Sequence, residues 1–341
     1  MSNSTKYTLL TDYEQIDHHK WGQFVASHPK GTIFQTPEYY ALHAMTKGYR
    51  PQVIAAFDTQ HTMVGVLVAI AGSVYKGIAA YLTSRAIVCG GPLAQDDDTE
   101  ILTLLLETYA SHMHKQVIYS QFRNLHDTTP FRIAFGSVNA HYEEHLNILI
   151  DLQKTEEELW KDVKTRKRNN IRQAQRKDVT VKELTTLQEV EASYSILEEV
   201  YHRAKLPLAD KLLFKNAFEV LGKKRFLKFY GTFLHETLVG TMYVFAYNNR
   251  IYDWYAGSYK KYYSFNPNDI LPWEIFLSEK NNGFSTFDFG GAGKPGVPYG
   301  VRNYKIQFGG ELVNFGRYEI AHNRLIFVLM QGAFKIWQRL H

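Results

Sequence analysis

The sequence contains a single cysteine, Cys89, among 341 residues. One thiol excludes an intramolecular disulfide and makes a cysteine-based metal site implausible. The sequence also lacks any run of about 18 uninterrupted apolar residues, which is the length that a membrane-spanning helix needs. Its opening residues, MSNSTKYTLL, have neither the basic start nor the apolar stretch of a secretory signal. We therefore expect a cytoplasmic protein.

The excess of one charge sign is small, since the formal net charge is +5. This surplus is compatible with an anionic ligand or membrane surface, but it does not demonstrate nucleic-acid binding. Apolar residues are plentiful at 45%, and aromatic residues at 14% suit strand-rich layers. A chain of this length has room for roughly two domains of about 150 residues each, with a sizeable core.

Helical and strand patterns alternate along the chain, which predicts a mixed α/β fold. The composition changes after Leu152, where a charged helix begins with Thr155 as its N-cap and Glu158 three residues later, the pattern of a capping box. We expect an N-terminal domain over 1–150 and a C-terminal domain over 151–311, with segment 312–341 able to pack back on the first. Both halves show a helix, a strand pair, a helix and a strand in that order, which suggests a duplicated unit.

The stretch FDFGGAGKPGVPYGVRNYKIQFGG, residues 287–310, is rich in glycine. It matches neither the P-loop nor the dinucleotide fingerprint, so its glycines either cradle a ligand or shape a rigid loop. Lys305, flanked by Tyr304 and Ile306, is predicted on a strand, where a fixed cation can meet a phosphate or carboxylate. Asp288 alternates with two phenylalanines and serves either as a general base or as a turn acceptor for the following amides.

A basic run over 161–177 is predicted to be helical, with Arg168 and Arg172 four residues apart on one side. Such a run is either a solvated face or an anion-binding ridge for RNA, pyrophosphate or lipid headgroups. The last segment, NRLIFVLMQGAFKIWQRLH, predicts an amphipathic basic helix. This helix docks on the protein or contacts the inner membrane surface.

Two histidine pairs invite comparison with metal sites, but we predict no metal. His141 and His145 lack the glutamate directly after the first histidine that a zinc protease needs, and His112 and His114 are equally weak. Cys89, followed by two glycines, is better explained as a small buried side chain than as a nucleophile.

Five segments resemble, in order, the motifs of the Fem-type peptidoglycan bridge-forming aminoacyltransferases, within the acyltransferase superfamily built on the acetyltransferase (GNAT) fold. These segments are GTIFQTPEYY, RKRNNIRQAQRKDVTV, YAGSYKKYYSFNPNDILPWEIF, FDFGG and GVRNYKIQFGGELV. The resemblance covers most of the chain, and it implies two tandem GNAT-like domains, each a mixed sheet flanked by helices. It also implies an enzyme that transfers an acyl or aminoacyl group to an amine of an envelope precursor.

The resemblance assigns roles to individual residues. Lys305 would face the donor or a phosphate, and Arg203 would bind the phosphates of the acceptor. Tyr255 and Ser258 would line the acceptor channel beside a loop shaped by Asp288, Gly290 and Gly291. The candidate catalytic residues are Lys305, Asp288 and Tyr255. The candidate substrate-binding residues are Arg203, Ser258, Gly290, Gly291, Tyr304, Arg168 and Arg172. In the position near which precursor-binding members often carry a lysine, this chain has His43.

The donor stays open between aminoacyl-tRNA and acyl-CoA, each a co-substrate, and no resident cofactor is expected. The partners implied are a nucleotide- or lipid-linked envelope precursor, tRNA and the inner membrane surface. Two other functions remain: a CoA-dependent N-acyltransferase acting on a sugar, lipid or amino-acid amine, and a non-catalytic module that binds RNA or an anionic precursor through Arg168 and Arg172.

Overall fold

The computed structural model describes residues 6–73 and 79–329. The chain divides into two compact units, which we call unit 1 and unit 2. Unit 1 comprises the described parts of Met1–Glu144 and Phe315–His341, and unit 2 is His145–Asn314.

Unit 1 is built on a mixed sheet. Its first seven strands are β1 (Thr8–Leu10), β2 (Tyr49–Phe57), β3 (Met63–Ser73), β4 (Ser84–Cys89), β5 (Leu93–Ala94), β6 (Tyr119–Arg123) and β7 (His141–Glu143). Its helices are α1 (His18–Ser27), α2 (Pro37–Ala44), α3 (Ala79–Leu82), α4 (Thr99–Met113) and α5 (Arg132–Ser137). Alternate residues of the central strands pack against α4 and α5 in one apolar core. The strands β4 and β6 run parallel, from Arg85 opposite Tyr119 to Cys89 opposite Arg123.

Unit 2 repeats this plan. Its strands are β8 (Leu146–Asp151), β9 (Val179–Glu183), β10 (Leu227–Leu234), β11 (Thr237–Tyr247), β12 (Arg250–Ser258), β13 (Thr286–Gly291) and β14 (Glu311–Asn314). Its helices are α6 (Glu156–Asp162), α7 (Thr165–Arg176), α8 (Leu187–Arg203), α9 (Lys211–Ala217), α10 (Pro267–Asn281) and α11 (Gly300–Lys305). One face of the sheet forms a core with α7 and α10, and the other face is covered by α8 and α9.

A final strand, β15 (Arg317–Ala321), belongs to the sheet of unit 1. The order of the first sheet is β1-β2-β3-β4-β6-β15-β7, with β5 against β3, and that of the second is β14-β8-β13-β12-β11-β10-β9. β15 therefore occupies the position in unit 1 that β8 occupies in unit 2. Both sheets also have their parallel pair at the same place, β4 with β6 and β12 with β13. This agreement in order supports the duplication that the sequence suggests.

The units change at residues 144/145 and 314/315, whereas the sequence placed the domain boundaries at 150/151 and 311/312. The difference arises because β8 pairs with β13 and β14 and so belongs to unit 2. Residues 324–329 are helical, and the rest of the predicted last helix, from residue 330, lies outside the described residues.

Of the two predictions for the charged segment after Leu152, one is confirmed and one is wrong. The capping box is confirmed, since Thr155 accepts from the Glu158 amide and Glu158 accepts from the Thr155 amide at 2.8 Å. The predicted single charged helix is wrong, because it is two helices, α6 and α7. Val163 and Lys164 adopt extended backbone between them, and Val163 is buried in the core.

The strand predicted around Lys305 is also wrong, because Lys305 ends the helix α11. Tyr304 and Phe308 lie four residues apart with ring centroids 5.5 Å from each other, and both pack against the core of unit 2. That spacing has the period of a helix rather than of a strand.

Candidate active site

The site lies where the parallel strands β12 and β13 separate. Their pairing ends at Tyr252 opposite Asp288, yet β12 continues to Ser258 and β13 to Gly291. Just beyond the last pair, β12 carries a bulge at Trp254, because Tyr243 opposes Tyr255 while Val244 opposes Asp253. A bulge bends its strand and increases the local twist, which is consistent with the separation. In unit 1, by contrast, β4 and β6 both end at their last pair.

Lys305 reaches this opening from the end of α11. Its ammonium donates to the carbonyl oxygen of Phe289 and lies 3.4 Å from Oδ2 of Asp253. The side chains of Lys305 and Asp253 are only 13% and 12% exposed. A cation held this firmly in a region of low water content interacts strongly with any negative charge that forms beside it.

Asp253 provides the carboxylate partner of Lys305. Burial raises the pKa of Asp253, and the neighbouring ammonium of Lys305 opposes that shift. The ion pair favours the charged form of the carboxyl group and fixes the position of the ammonium. Our sequence reasoning missed Asp253, although a lone carboxylate in the aromatic strand RIYDWYAGS was a usable signal for a buried charge.

Asp288 sits on β13, one residue before Phe289, but it points to the other face of the sheet. Phe287 and Phe289 belong to the core beneath α10, and Asp288 alternates with them as predicted. Its carboxylate accepts the amide N–H of Gly290 at 2.7 Å and the side-chain amide of Asn147 at 3.2 Å. Burial raises the pKa of Asp288 to about 6, against the opposing effect of these two donors. This geometry favours the turn-acceptor interpretation over that of a general base.

Gly290 and Gly291 form the end of β13. Gly290 has a φ of +69°, a backbone conformation that favours glycine, and a side chain placed there would meet only the Asp253 carbonyl, at 3.9 Å. Gly291 opposes Asn147 of β8. The two glycines therefore end the strand, and Gly290 leaves an open approach to its backbone.

Tyr255 lies in an aromatic cluster beneath α8 and α9. Tyr255 opposes Tyr243, and its ring packs against Phe214, Tyr201 and Trp254 on the face covered by α8 and α9. Tyr255 is therefore part of an aromatic wall on the opposite face of the sheet from the core that contains Phe289.

Ser258 lies at the far end of β12, five residues beyond Asp253, or roughly 17 Å at strand spacing. Its side chain is fully buried, and its hydroxyl has no hydrogen-bond partner within the described part of the chain. It opposes Gly240 and is remote from the Lys305 ammonium.

Arg203 ends α8 on the surface. Its guanidinium forms an ion pair with Glu199 at 2.9 Å and donates to the Tyr263 hydroxyl at 2.6 Å. An acceptor phosphate at Arg203 would have to compete with Glu199.

The basic residues predicted to form a ridge on α7 differ in exposure: some are buried and others lie at the surface. Lys167 is buried and forms an ion pair with Asp269 at 2.5 Å, with its ammonium over the Tyr304 ring at 4.1 Å. The Tyr304 hydroxyl donates to the Asn268 carbonyl, so Tyr304 joins α10 and α11. Arg168 is half-buried and donates to the Trp160 carbonyl, whereas exposed Arg172 lies over the Trp160 ring at 5.2 Å.

His43 is buried, and Nδ1 lies 2.9 Å from the Tyr39 carbonyl. Burial lowers the pKa of His43 to about 4, so the imidazole is neutral near pH 7. It supplies no cation at the place where the resemblance led us to look for a lysine.

Two further features concern the whole described region. No group of three or more histidine, cysteine, aspartate or glutamate side chains there is arranged to hold a metal ion. Over the same residues, no helix has the length and apolar character required to span a bilayer.

Comparison with known proteins places this site within a family domain. Residues 163–305 match the family model described as an acetyltransferase (GNAT) domain, a range that contains α7, β12, β13 and Lys305. No curated protein matches the chain significantly in sequence.

Solved structures resemble the whole chain. FemX superimposes with a TM-score of 0.73 at 14% identity, covering 94% of this chain and 99% of FemX. The C-terminal domain of a putative lysylphosphatidylglycerol synthetase from Agrobacterium fabrum gives a TM-score of 0.61 at 9% identity, with 94% and 96% coverage. A tandem GNAT protein from the clavulanic acid biosynthesis pathway gives a TM-score of 0.56 at 11% identity, with 93% and 98% coverage.

These likenesses confirm the predicted fold: two mixed sheets flanked by helices, with the architecture of FemX and of a tandem GNAT protein. The predicted relationship to the Fem-type transferases is likewise confirmed in fold. The chain thus has the tandem GNAT fold shared with FemX, and its residues 163–305 match the family model of a GNAT acetyltransferase domain.

Proposed function

We propose that the protein is an N-acyltransferase that moves an aminoacyl or acyl group to an amine of a cell-envelope precursor. The observation that carries the proposal is the Lys305 ammonium, held by Phe289 and Asp253 where β12 and β13 separate, inside a GNAT acetyltransferase domain. A largely buried, oriented cation suits a reaction that develops negative charge on a carbonyl oxygen.

In the proposed reaction, the acceptor amine attacks the carbonyl carbon of the donor ester or thioester. A C–N bond forms while the C–O or C–S bond to the carrier breaks, and the proton lost by the amine is gained by the leaving oxygen or sulfur. Lys305 stabilises the oxyanion of the tetrahedral intermediate, and Asp253 keeps Lys305 in place. The accessible backbone at Gly290 admits the donor close to the Phe289 carbonyl and the Lys305 ammonium.

For the donor, the exposed face of α7 supports aminoacyl-tRNA over acyl-CoA. Arg166, Arg172 and Arg176 are exposed there and make no ion pair within the described residues, and α7 contains no acidic residue. Three unneutralised arginines along one helix match the repeated phosphates of an RNA backbone better than the compact charge of a single CoA.

For the acceptor, we propose a peptidoglycan precursor on a nucleotide or lipid pyrophosphate, in the cytoplasm. The support is the likeness in fold to FemX and to a putative lysylphosphatidylglycerol synthetase. Leu325, Val328 and Leu329 are 73%, 59% and 64% exposed, which supports a peripheral contact with the inner membrane surface.

Mass spectrometry of envelope precursors from cells with and without the gene tests this function. We expect a mass difference equal to one aminoacyl or acyl group on an amine. Purified protein supplied with charged tRNA or acyl-CoA then identifies the donor. Salt-sensitive binding of RNA or precursor with no product in either assay would contradict the enzyme and support the non-catalytic binding module.

A further inference from the structure

Arg302 joins α11 to the segment that follows β13. It lies three residues before Lys305, and residues three apart share one side of a helix. One terminal nitrogen of Arg302, Nη1, donates to the carbonyl oxygens of Ala292 at 3.2 Å and of Lys294 at 2.8 Å. The other, Nη2, donates to the carbonyl oxygen of Val297. A planar guanidinium presents its N–H donors in a rigid fork, so this one side chain fixes three carbonyl groups.

The two cations of α11 bind the backbone on either side of the glycine pair at 290–291. Lys305 donates to the carbonyl oxygen of Phe289, just before the pair, and Arg302 donates to that of Ala292, just after it. Glycine has more backbone freedom than any other residue, so the end of the strand would be poorly fixed if only one side of the pair were held. Arg302 and Lys305 together therefore hold both sides.

The loop from Ala292 to Tyr299 has two further supports. Its base is fixed on the sheet, because the Ala292 amide donates to the Leu146 carbonyl at 2.6 Å. Its far end folds back, with the Tyr299 ring beside Gly293, where a Cβ atom would lie 3.0 Å from that ring. Arg302 thus ties α11 to a segment that is already anchored to β8.

The helix α11 depends on such contacts because it is short. It has six residues, and its N-cap, Tyr299, provides no side-chain hydrogen bond. Isolated helices of fewer than about 12 residues are marginal in water, so tertiary contacts decide where α11 lies. Tyr304 fixes the helix to α10, and Arg302 fixes it to the loop.

We propose that Arg302 is a positioning residue for Lys305. It holds α11 at the distance from β13 at which the Lys305 ammonium meets the Phe289 carbonyl and Asp253. The consequence for catalysis rests on the proposed function, whereas the effect of Arg302 on the placement of Lys305 does not. A small displacement of the ammonium would lower the rate of transfer, because a catalytic group acts only in the correct geometry.

Lysine labelling of the full chain tests this role without any substrate. N-hydroxysuccinimidyl acetate acetylates accessible lysines, and mass spectrometry gives the rate at each position. The Lys305 side chain is 13% exposed, so it should react slowly in the original protein. Arg302→Gln should raise the rate at Lys305 about tenfold, because the loss of a hydrogen-bonded charge lets the end of α11 open more often. Exposed Lys182 should react equally in both proteins, as should Lys167 and Lys228, which are buried in unit 2.

Two further variants make the labelling result specific. Arg302→Lys keeps the charge, but one ammonium cannot reproduce the guanidinium fork. It should give an intermediate rate at Lys305, and it serves if Arg302→Gln does not fold. Arg85→Gln replaces an exposed arginine on β4, and this matched control should leave the labelling of Lys305 unchanged.

Kinetics in two backgrounds connect this role to catalysis. Arg302→Gln should lower kcat about tenfold with little change in KM. In a protein that already carries Lys305→Ala, the same substitution should change kcat by less than about twofold, because Arg302 acts through Lys305.

Three results would overturn the proposal. One is an unchanged labelling rate of Lys305 in Arg302→Gln. Another is an equal rise at Lys167 and Lys228, which would mean that unit 2 loosens as a whole. The third is an equal loss of kcat from Arg302→Gln in both backgrounds. An original protein that forms no product would contradict the proposed transfer reaction, and the labelling rates would still decide the role of Arg302.

Discussion

Lys305 and Asp253 meet at the point where β12 and β13 separate, with Nζ 3.4 Å from Oδ2 and both side chains largely removed from water. The strand bulge at Trp254 places Asp253 there, and α11 brings in Lys305 from 52 residues further along the chain. This ion pair is the structural basis of the proposed chemistry.

Asp253→Asn should lower kcat about tenfold or more with little change in KM. The substitution keeps the shape of the side chain but removes the carboxylate that fixes the ammonium, which weakens stabilisation of the transition state rather than substrate binding. Steady-state kinetics with separate kcat and KM values checks this. Glu311→Gln, an exposed carboxylate on β14, is the control for the change in net charge. A rise in KM at constant kcat would assign Asp253 to binding instead.

Asp288→Asn should change how the free energy of unfolding depends on pH. The pKa of Asp288 is raised from 3.8 to about 6 in the folded protein, so the folded state binds more protons than the unfolded state between about pH 4 and 6. Stability from this group is therefore present at low pH and is lost as pH rises through that window, by at most about 3 kcal/mol. Urea denaturation at several pH values measures the slope, which the variant should flatten. An unchanged slope would mean that Asp288 is not the group responsible.

The same variant separates the two roles that the sequence left open for Asp288. If Asp288 acts only as an acceptor for the Gly290 amide, asparagine should replace it with little loss of activity, because the side-chain amide oxygen still accepts a hydrogen bond. We therefore expect less than about a tenfold fall in kcat, whereas loss of a general base costs about 10²- to 10⁴-fold. Single-turnover measurement of product formation distinguishes these outcomes.

Replacement of Arg172 and Arg176 by glutamine should weaken RNA binding and reduce its salt dependence. Each phosphate contact that is lost lowers the slope of log K against log salt by about 0.7 for single-stranded RNA and about 0.9 for a duplex. Fluorescence anisotropy with a labelled tRNA at several salt concentrations measures the slope. Lys182→Gln removes an exposed cation from β9 and should leave it unchanged. Equal slopes in all three proteins would exclude α7 as the RNA-binding surface.

Lys167→Met should destabilise unit 2 by about 3–5 kcal/mol, because Asp269 would be left buried without its cation. Adding Asp269→Asn should restore part of that loss, since the uncompensated charge disappears. Guanidinium denaturation of the two variants measures both effects. No difference between the original protein and the single variant would show that the pair contributes little to folding.

The sequence predicted those features that depend on local pattern. The capping box at Thr155 and Glu158 and the alternation of Asp288 with its phenylalanines are short-range relationships, and both appear in the structure. The tandem fold was reached through motif resemblance rather than through periodicity. Lys305 was placed on a strand because its neighbours are aromatic and β-branched, whereas the contact of Tyr304 with Phe308 favours a helix.

Long-range relationships were not accessible in the same way. Because β8 pairs with β13, it belongs to unit 2, and the unit boundary lies before it. The pairing of β15 with β6 places Arg317 opposite Arg123, which is 194 positions earlier in the chain. Likewise, Lys167 is buried and Arg172 is exposed, although both lie in the same charged run on one helix. Each of these depends on which strands and helices pack together, which a single sequence does not specify.

The central claim is that Lys305 stabilises the charge that develops during transfer. The most direct test is single-turnover product formation by Lys305→Ala, with Lys294→Ala as an exposed control in the same glycine-rich connection. We predict a loss of about 10²-fold or more for Lys305→Ala, measured at a temperature where the variant is folded, with near-normal rates for the control. Thermal unfolding of Lys305→Ala should shift to lower temperature, because Asp253 loses its cation, and that of the control should not change. A folded Lys305→Ala protein that turns over at the original rate would contradict the account.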